Sequence, residues 1–333
     1  MKKRLDPQQE LFQVIRNGDI ERFCALLHRE TFLRKGPAID VNQKWSHDSP
    51  IHEAVKASHK GKLIMVDLLL KHGAQIDPRD TEGMTPLHWA SFSGDLELIQ
   101  ILADYQGDLA AVDHLGRSTL FWAFMGGKPE AFDWLLERGL SPILLTIDHQ
   151  RILHYLRSEL QIGMAVKSLD LGVEINTTND NGNTPLLQAI RIPGSDGVTV
   201  VNFLLINGAD VTARDSWGRT AIMIIITEYP DNIEQRMPII QALLEHGVDV
   251  NSQDQFGQTA LHYAVGNCLP NLVQLLLENG ADPQITDRKR CTPYQTLVPA
   301  RYSESTAQTI ILMHNVTLAA GVEKLRAESP TTG

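Results

Sequence analysis

The chain has 333 residues and a net charge of −10 at neutral pH, with 43% hydrophobic and 21% charged residues. These proportions are typical of a folded protein rather than a disordered one. The acidic balance argues against a general nucleic-acid binder, which needs a basic face to displace counterions from phosphate. The most apolar short stretch, 222–226, is far below the roughly 18 residues of a membrane span. We therefore expect neither a nucleic-acid partner nor a membrane-inserted segment.

The cysteines and the N-terminus bear on the compartment. Cys24, Cys268 and Cys291 are too few and too scattered for a disulfide framework or a zinc site, which favours a reducing compartment. The N-terminus is basic, but polar and acidic residues follow at 6–10, where a signal peptide needs an apolar run. We expect a cytoplasmic or nuclear protein.

A short segment recurs along the chain. It reads TPLHWA at 85–90, with close versions at 49–54 and 259–264. Weaker versions begin at Ser118, Thr184, Thr220 and Thr292. The positions that correspond to its proline are Pro50, Pro86, Thr119, Ile152, Pro185, Ala221, Ala260 and Pro293, at spacings of 36, 33, 33, 33, 36, 39 and 33. A base period of 33 residues with small insertions indicates a repeat protein.

Each element of this repeat has a physical role. A glycine just before the segment permits the positive φ angle of a tight hairpin turn. The threonine caps a first helix, and the proline loses no hydrogen bond at the first helical position. A second helix ends at a glycine that fits a left-handed C-cap. These C-cap glycines are Gly73, Gly107, Gly139, Gly172, Gly208, Gly247 and Gly280.

The period and the TPLHWA segment resemble the ankyrin-repeat family, and the resemblance covers about residues 11–316. It implies an all-α protein with short β-hairpins, arranged as an ankyrin-repeat solenoid of about nine helix-turn-helix repeats. We predict an N-terminal extension at 1–10, capping repeats at 11–43 and 287–316, and a flexible C-terminal tail at 317–333. The predicted internal repeats are 44–79, 80–112, 113–145, 146–178, 179–214, 215–253 and 254–286.

Two features depart from the regular repeat. The repeat at 146–178 is degenerate, because Ile152-Leu153-His154 has lost both the capping threonine and the proline. It is either a soft point in the array or ordinary sequence drift. Insertions at Lys56–Lys62, Ile192–Val198 and Glu228–Arg236 are predicted to lie at turns between paired helices. They are either contact elements or solvated loops that tolerate extra length.

Most histidines are expected to have structural roles. The resemblance implies that His52, His88 and His262 bridge the first helix to hairpin backbone, while His72 and His246 precede C-cap glycines. The sequence carries no Cys-x-x-Cys, zinc-protease, dinucleotide-binding, P-loop or nucleophile-elbow motif. We therefore predict no enzyme, and no catalytic residue, metal or cofactor. A rival interpretation is an enzyme with its site on the repeat groove, using the histidines that lack a repeat role, His114, His149 and His154.

The candidate binding residues follow from the family's use of its concave side, made of hairpin tips and first helices. Large apolar residues and arginines at these positions are typical of interface hot spots. The predicted partner-binding residues are Trp45, Leu115, Trp217 and Phe256 at tips, Arg117 and Arg219 just after turn glycines, and Phe92 and Met125 on first helices. By contrast, Trp89, Trp122 and Tyr263 are predicted to pack between helices.

These features predict a monomeric scaffold or adaptor that binds a protein partner. A ubiquitin-ligase substrate adaptor and a host-directed microbial effector are alternatives of the same class. A further alternative is an oxygenase substrate, because Leu243 through Asn251 resembles the pattern of hydroxylated ankyrin repeats.

Overall fold

The computed structural model describes residues 6–32, 39–144, 146–296 and 305–316, with side chains omitted for 28–32. The predicted flexible tail therefore lies outside the described residues. The chain divides into two compact units. Unit N comprises Met1–Leu153 and Leu160–Val173, and unit C comprises His154–Glu159 and Glu174–Gly333. The degenerate repeat contributes residues to both.

Helices follow one another in short-connected pairs. In unit N they are α1 (Pro7–Asn17), α2 (Ile20–Phe32), α3 (Pro50–Lys56), α4 (Lys62–Lys71), α5 (Pro86–Ser93), α6 (Leu96–Asp104), α7 (Thr119–Met125), α8 (Pro129–Glu137) and α9 (Ile162–Asp170). In unit C they are α10 (Pro185–Ala189), α11 (Gly194–Ile206), α12 (Ala221–Glu228), α13 (Ile233–Glu245), α14 (Ala260–Gly266), α15 (Pro270–Glu278) and α16 (305–316). Short 3-10 segments span Ile152–Tyr155, Glu159–Gln161, Pro230–Asn232 and Pro293–Thr296. The predicted all-helical repeat fold is confirmed, whereas the count of nine repeats stays a prediction.

The first helices begin as the sequence predicts. Thr85 precedes α5, and its hydroxyl and backbone N–H both contact the His88 ring in a capping box. Pro86 is the first helical residue, and Leu87 and Ala90 are buried. Helix α1 begins at Pro7, so 7–10 of the predicted N-terminal extension belong to a helix.

First helices of neighbouring repeats approach very closely. A Cβ atom added to Gly126, directly after α7, would lie 2.1 Å from the backbone oxygen of Phe92 in α5. Only glycine fits at that distance, because the neighbouring atom is backbone and cannot move aside. The end of α7 is therefore in close backbone contact with α5.

The C-cap prediction holds with one correction. Glycines 73, 139, 172, 208, 247 and 280 have φ angles between 81° and 91°. At the end of α6, however, the left-handed residue is Gln106, with φ 64°, and Gly107 is not in this conformation. Gly107 instead donates its N–H to Leu102 O at 2.9 Å, so the cap falls one residue earlier than the sequence predicts.

The hairpins form as hydrogen-bonded turns. Asp80 and Met84 are joined by a backbone hydrogen bond of 3.0 Å, and Gly83 has a φ of 79°. No strand forms in the described ranges, which contain only the isolated bridges Trp45–Asp48 and Val112–Ser118. Successive tips are joined by backbone N–H to O bonds from His114 to Glu82, Ile147 to Leu115, Gln255 to Trp217 and Arg288 to Phe256, at 2.9–3.2 Å. At these four junctions the tips of neighbouring repeats are therefore joined directly.

The insertions are mostly taken up by helix, against the prediction of loops. Only 57–61, between α3 and α4, is a loop of the expected kind. The other two lengthen the second helix, since α11 and α13 each have 13 residues where α6, α8 and α15 have nine. Continuing a helix satisfies the backbone groups of the extra residues internally, which a loop cannot do.

Candidate protein-binding face

A buried aspartate organises each regular hairpin of unit N. In the 113–145 repeat, the Asp113 side chain is fully buried and its Oδ1 accepts backbone N–H groups of Leu115 and Arg117, both at 2.9 Å. Its Oδ2 accepts the Arg117 Nε–H at 2.6 Å and the Trp122 indole N–H at 3.1 Å. One carboxylate thus fixes the tip, the arginine after the turn and an aromatic ring on α7.

The Trp122 ring is the centre of a cluster in unit N. The Arg117 guanidinium lies 4.4 Å from its ring centroid. Phe92 of α5 meets it edge-on, with ring centroids 5.7 Å apart and an interplanar angle of 83°. Phe92 is 39% exposed and Leu115 is 44% exposed, while Met125 is half-buried one helical turn after Trp122. We call Phe92, Leu115, Arg117, Trp122 and Met125 the aromatic face.

The neighbouring 80–112 repeat has the same arrangement. Asp80 Oδ2 accepts the Trp89 indole N–H at 2.9 Å, and Lys56 Nζ lies 4.1 Å from the centre of the Trp89 ring. Burial alone would raise the pKa of Asp80. The hydrogen bonds from Trp89 and from backbone N–H groups of Met84 and Glu82 outweigh burial, so the pKa is lowered. Asp80 is therefore ionised at neutral pH. It fixes the Trp89 ring in the way that Asp113 fixes Trp122.

The unit C residues are arranged differently. Trp217 and Phe256 are 53% and 50% exposed and occupy linked neighbouring tips, yet neither ring contacts another aromatic ring in the part of the chain that the structure describes. Arg219 is held by Asp215 at 2.8 Å and by Glu228 at 3.3 Å. Arg219, a predicted partner-binding residue, is therefore largely engaged within the chain.

Trp45 is less available than the other predicted tip residues. It is 38% exposed, and its ring centroid lies 6.2 Å from that of Phe12 in α1. Part of its surface is therefore used for packing against the first repeat.

His52 and His262 have the bridging role expected of them, whereas the buried Nε2 of His88 has no hydrogen-bond partner within the described ranges, and this ring is hydrogen-bonded only to the cap residue Thr85. His52 Nε2 is 3.1 Å from Met84 O, and His262 Nε2 is 3.1 Å from Cys291 O, so each bridges a helix to the next hairpin. Burial lowers the pKa of both rings, and it lowers the pKa of His88 to about 4. His72 and His246 bond to carbonyls of their own helices.

Two of the three histidines kept for an enzymatic rival also have structural roles. His154 is fully buried, and its Nε2 lies 3.1 Å from Asn183 O, which is the bridge that His52 and His262 make. His149 takes the turn-glycine position with a φ of 55°. Only His114 lacks such a role, so these three residues do not form a catalytic set. The sequence alone does not reveal the roles of His149 and His154, because the threonine and proline that mark the repeat segment are missing beside them.

The described ranges offer little for other kinds of chemistry. They contain no group of three or more His, Cys, Asp or Glu side chains that could hold a metal ion. Cys24, Cys268 and Cys291 are free thiols. None of the helices that the structure describes is long and apolar enough to cross a membrane.

Trp89, Trp122 and Tyr263, which the sequence predicts to pack between helices, each also bind the aspartate of a hairpin turn. Trp89 and Trp122 are half-buried, with indole N–H groups bound to turn aspartates, and Tyr263 donates its hydroxyl to Asp254 at 2.6 Å. The signal was present in the sequence. Each aromatic residue lies nine positions after its aspartate.

Comparisons with known proteins agree with the repeat geometry. The family model for ankyrin repeats (3 copies) matches residues 11–113, 51–146 and 194–287. The human transient receptor potential cation channel subfamily A member 1 is 26% identical over 260 residues, which are 74% of this chain and 22% of that protein, so the chain spans about a fifth of the channel's length. The crystal structure of the ankyrin repeat domain of Bcl-3, a unique member of the IkappaB protein family, has a TM-score of 0.55 and 26% identity, covering 70% of this chain and 99% of that one. The matched family segments include most of the residues, and the chain belongs to the ankyrin-repeat family.

Proposed function

We propose that this protein is a scaffold or adaptor that binds a partner protein through the aromatic face of unit N. Ankyrin repeats are generally protein–protein interaction modules. The observation that carries the proposal is the Trp122 cluster, in which Phe92 and Leu115 are exposed around a ring fixed by Asp113. Ordered aromatic and arginine side chains lose little conformational entropy on binding.

Affinity purification from an extract of the native cell tests the face. Phe92→Ala with Leu115→Ala removes its two most exposed side chains while leaving Asp113 and Trp122 in place. We expect the partner to be lost, with the circular-dichroism spectrum and urea midpoint close to those of the parent. The matched control is Ile64→Ala, which truncates an exposed apolar residue on second helix α4. Equal retention of the partner by both variants would contradict the proposal.

A second surface in unit C is supported by the linked tips that carry Trp217 and Phe256. The Trp217→Ala/Phe256→Ala variant is compared with Ile206→Ala, whose target is 76% exposed on second helix α11. Loss of a partner with the first variant alone places recognition on unit C. If the Phe92→Ala/Leu115→Ala and Trp217→Ala/Phe256→Ala variants both lose the same partner, residues of both units contribute to its recognition.

The alternatives retain less support. The groove-enzyme alternative loses two of its three candidate histidines, because His149 and His154 are used structurally. The oxygenase-substrate alternative meets an obstacle at Asn251, whose amide donates to Gly280 O at 2.9 Å and accepts from Asp282 N at 2.8 Å. The free thiols are in keeping with the proposed cytoplasmic or nuclear setting.

A further inference from the structure

A row of asparagines fastens successive repeats to each other. Each side-chain NH₂ donates to the carbonyl of a left-handed C-cap glycine in the next repeat, and each Oδ1 accepts the backbone N–H two residues further on. The donor pairs are Asn42 with Gly73, Asn176 with Gly208 and Asn251 with Gly280, at 3.0, 3.1 and 2.9 Å. The acceptor pairs are Asn42 with Gln75, Asn176 with Asp210 and Asn251 with Asp282, at 2.7–2.8 Å. We call this two-bond arrangement the amide clasp.

Asp77 occupies the clasp position between the 44–79 and 80–112 repeats. Its Oδ2 accepts the N–H of Asp108 at 3.0 Å, and Asp108 lies two residues after the left-handed Gln106. This half of the clasp matches the asparagines. The other half does not, because Oδ1 is buried and has no hydrogen-bond partner. An ionised carboxylate cannot donate to a carbonyl, whereas an amide can.

We propose that Asp77 is a pH-sensitive clasp, which closes when its carboxyl group is protonated and donates to the Gln106 carbonyl, and which is half-open when the group is ionised. The proton comes from solvent and returns to it, so no other reactant is needed. Closing the clasp replaces an unsatisfied buried oxygen with a hydrogen bond, which stabilises the junction between these two repeats.

The charges around Asp77 support this direction. Burial raises its pKa above the ordinary value of 3.8, the hydrogen bond from the Asp108 backbone lowers it, the Asp108 charge raises it and the Arg79 charge lowers it. The net effect is a raised pKa. Arg79 does not satisfy the Asp77 carboxylate with a hydrogen bond, because its Nη1 donates to Gly83 O and Val112 O instead.

The sign of the pH dependence follows from the raised pKa. Between pH 3.8 and the higher pKa of the folded state, the folded protein binds more protons at Asp77 than the unfolded protein does. The contribution of Asp77 to stability is therefore largest below this window and is lost as pH rises through it. An asparagine at the same position would keep the clasp closed at every pH.

The test compares urea and thermal unfolding of the full chain and its Asp77→Asn variant between about pH 4 and pH 8. We expect Asp77→Asn to raise the thermal midpoint at pH 7 by about 2–4 °C, an advantage that shrinks as pH falls. The reciprocal Asn42→Asp variant installs the same defect one repeat earlier. It should lower the midpoint at pH 7 and recover part of the loss in acid.

Two controls separate the clasp from a general charge effect. Asp104→Asn removes an exposed negative charge at the last residue of α6, and its effect on the midpoint should be small and should not change with pH across this range. The ¹³C chemical shift of the Asp77 carboxyl gives its titration directly and should show a midpoint above 3.8. A titration at or below that value, or an advantage of Asp77→Asn that does not change with pH, would overturn the proposal.

Discussion

The 80–112 and 146–178 repeats close the same turn with different residues. In the regular repeat, Asp80 Oδ1 accepts backbone N–H groups of Glu82 and Met84, and Gly83 takes the left-handed position. In the degenerate repeat, Thr146 Oγ1 accepts the N–H of Gln150 at 3.1 Å, and His149 takes the left-handed position. The turn therefore survives the loss of both characteristic residues.

The first helix does not survive as well. Thr85 and Pro86 start α5, which has eight residues, whereas Arg151 and Ile152 stand at the same positions and only a four-residue 3-10 segment follows. His154 still makes its bridge. Two roles can therefore be told apart. The histidine joins a first helix to the next hairpin, whereas the cap residue and the proline allow that helix to extend.

The largest expected effect is on the regular repeat. His88→Ala removes a fully buried ring that completes the capping box of α5. We expect a loss of about 2–4 kcal/mol in unfolding free energy, since the backbone N–H of Thr85 loses its partner and a cavity remains. Urea denaturation measures the loss. His114→Ala at an exposed tip is the control and should cost less than about 0.5 kcal/mol.

Acid should weaken the regular repeats through the same histidines. Burial lowers the pKa of His52, His88 and His262, so the folded protein binds fewer protons than the unfolded one below pH 6.5. The stability that these neutral rings contribute is fully present above pH 6.5. It is lost as pH falls through the pKa of the folded state, which is about 4 for His88. His88 alone accounts for up to about 3 kcal/mol. The urea midpoint of His88→Ala should fall less between pH 7 and 5 than that of the parent, and parallel profiles would contradict this.

Restoring the missing cap should lengthen the first helix of the degenerate repeat. Arg151→Thr with Ile152→Pro restores the residues that start α5, and we expect the 152–155 segment to lengthen into α-helix. The cap and proline should contribute about 1–2 kcal/mol, offset in part by the lost bond from Arg151 to Ile143 O and by the lost burial of the Ile152 side chain. Hydrogen exchange of amides at 155–158 measures the extension. Unchanged protection there would mean that packing, rather than capping, limits this helix.

The sequence predicts the repeats and the bridges of His52 and His262, because each depends on local residues at fixed spacing. It misses features that depend on the neighbouring repeat. The shift of the α6 cap to Gln106 and the central place of Trp122 in the aromatic face follow from contacts across repeats. The insertions at 192–198 and 228–236 read as loops, since length alone does not tell a loop from an extended helix.

The smallest expected effect is at the left-handed turn position of the degenerate repeat. His149→Gly relieves a positive φ of 55° at a side chain with a Cβ, and we expect a gain of about 0.5–1 kcal/mol. Gly182→Ala is the matched opposite change, because its φ is 72° and the nearest atom to an added Cβ is 3.7 Å away, so strain acts there without a clash. Gly182→Ala should cost a similar amount. A loss of stability in His149→Gly would show that the His149 ring contributes more through its contacts than its backbone costs, and that the degenerate turn is maintained by that side chain.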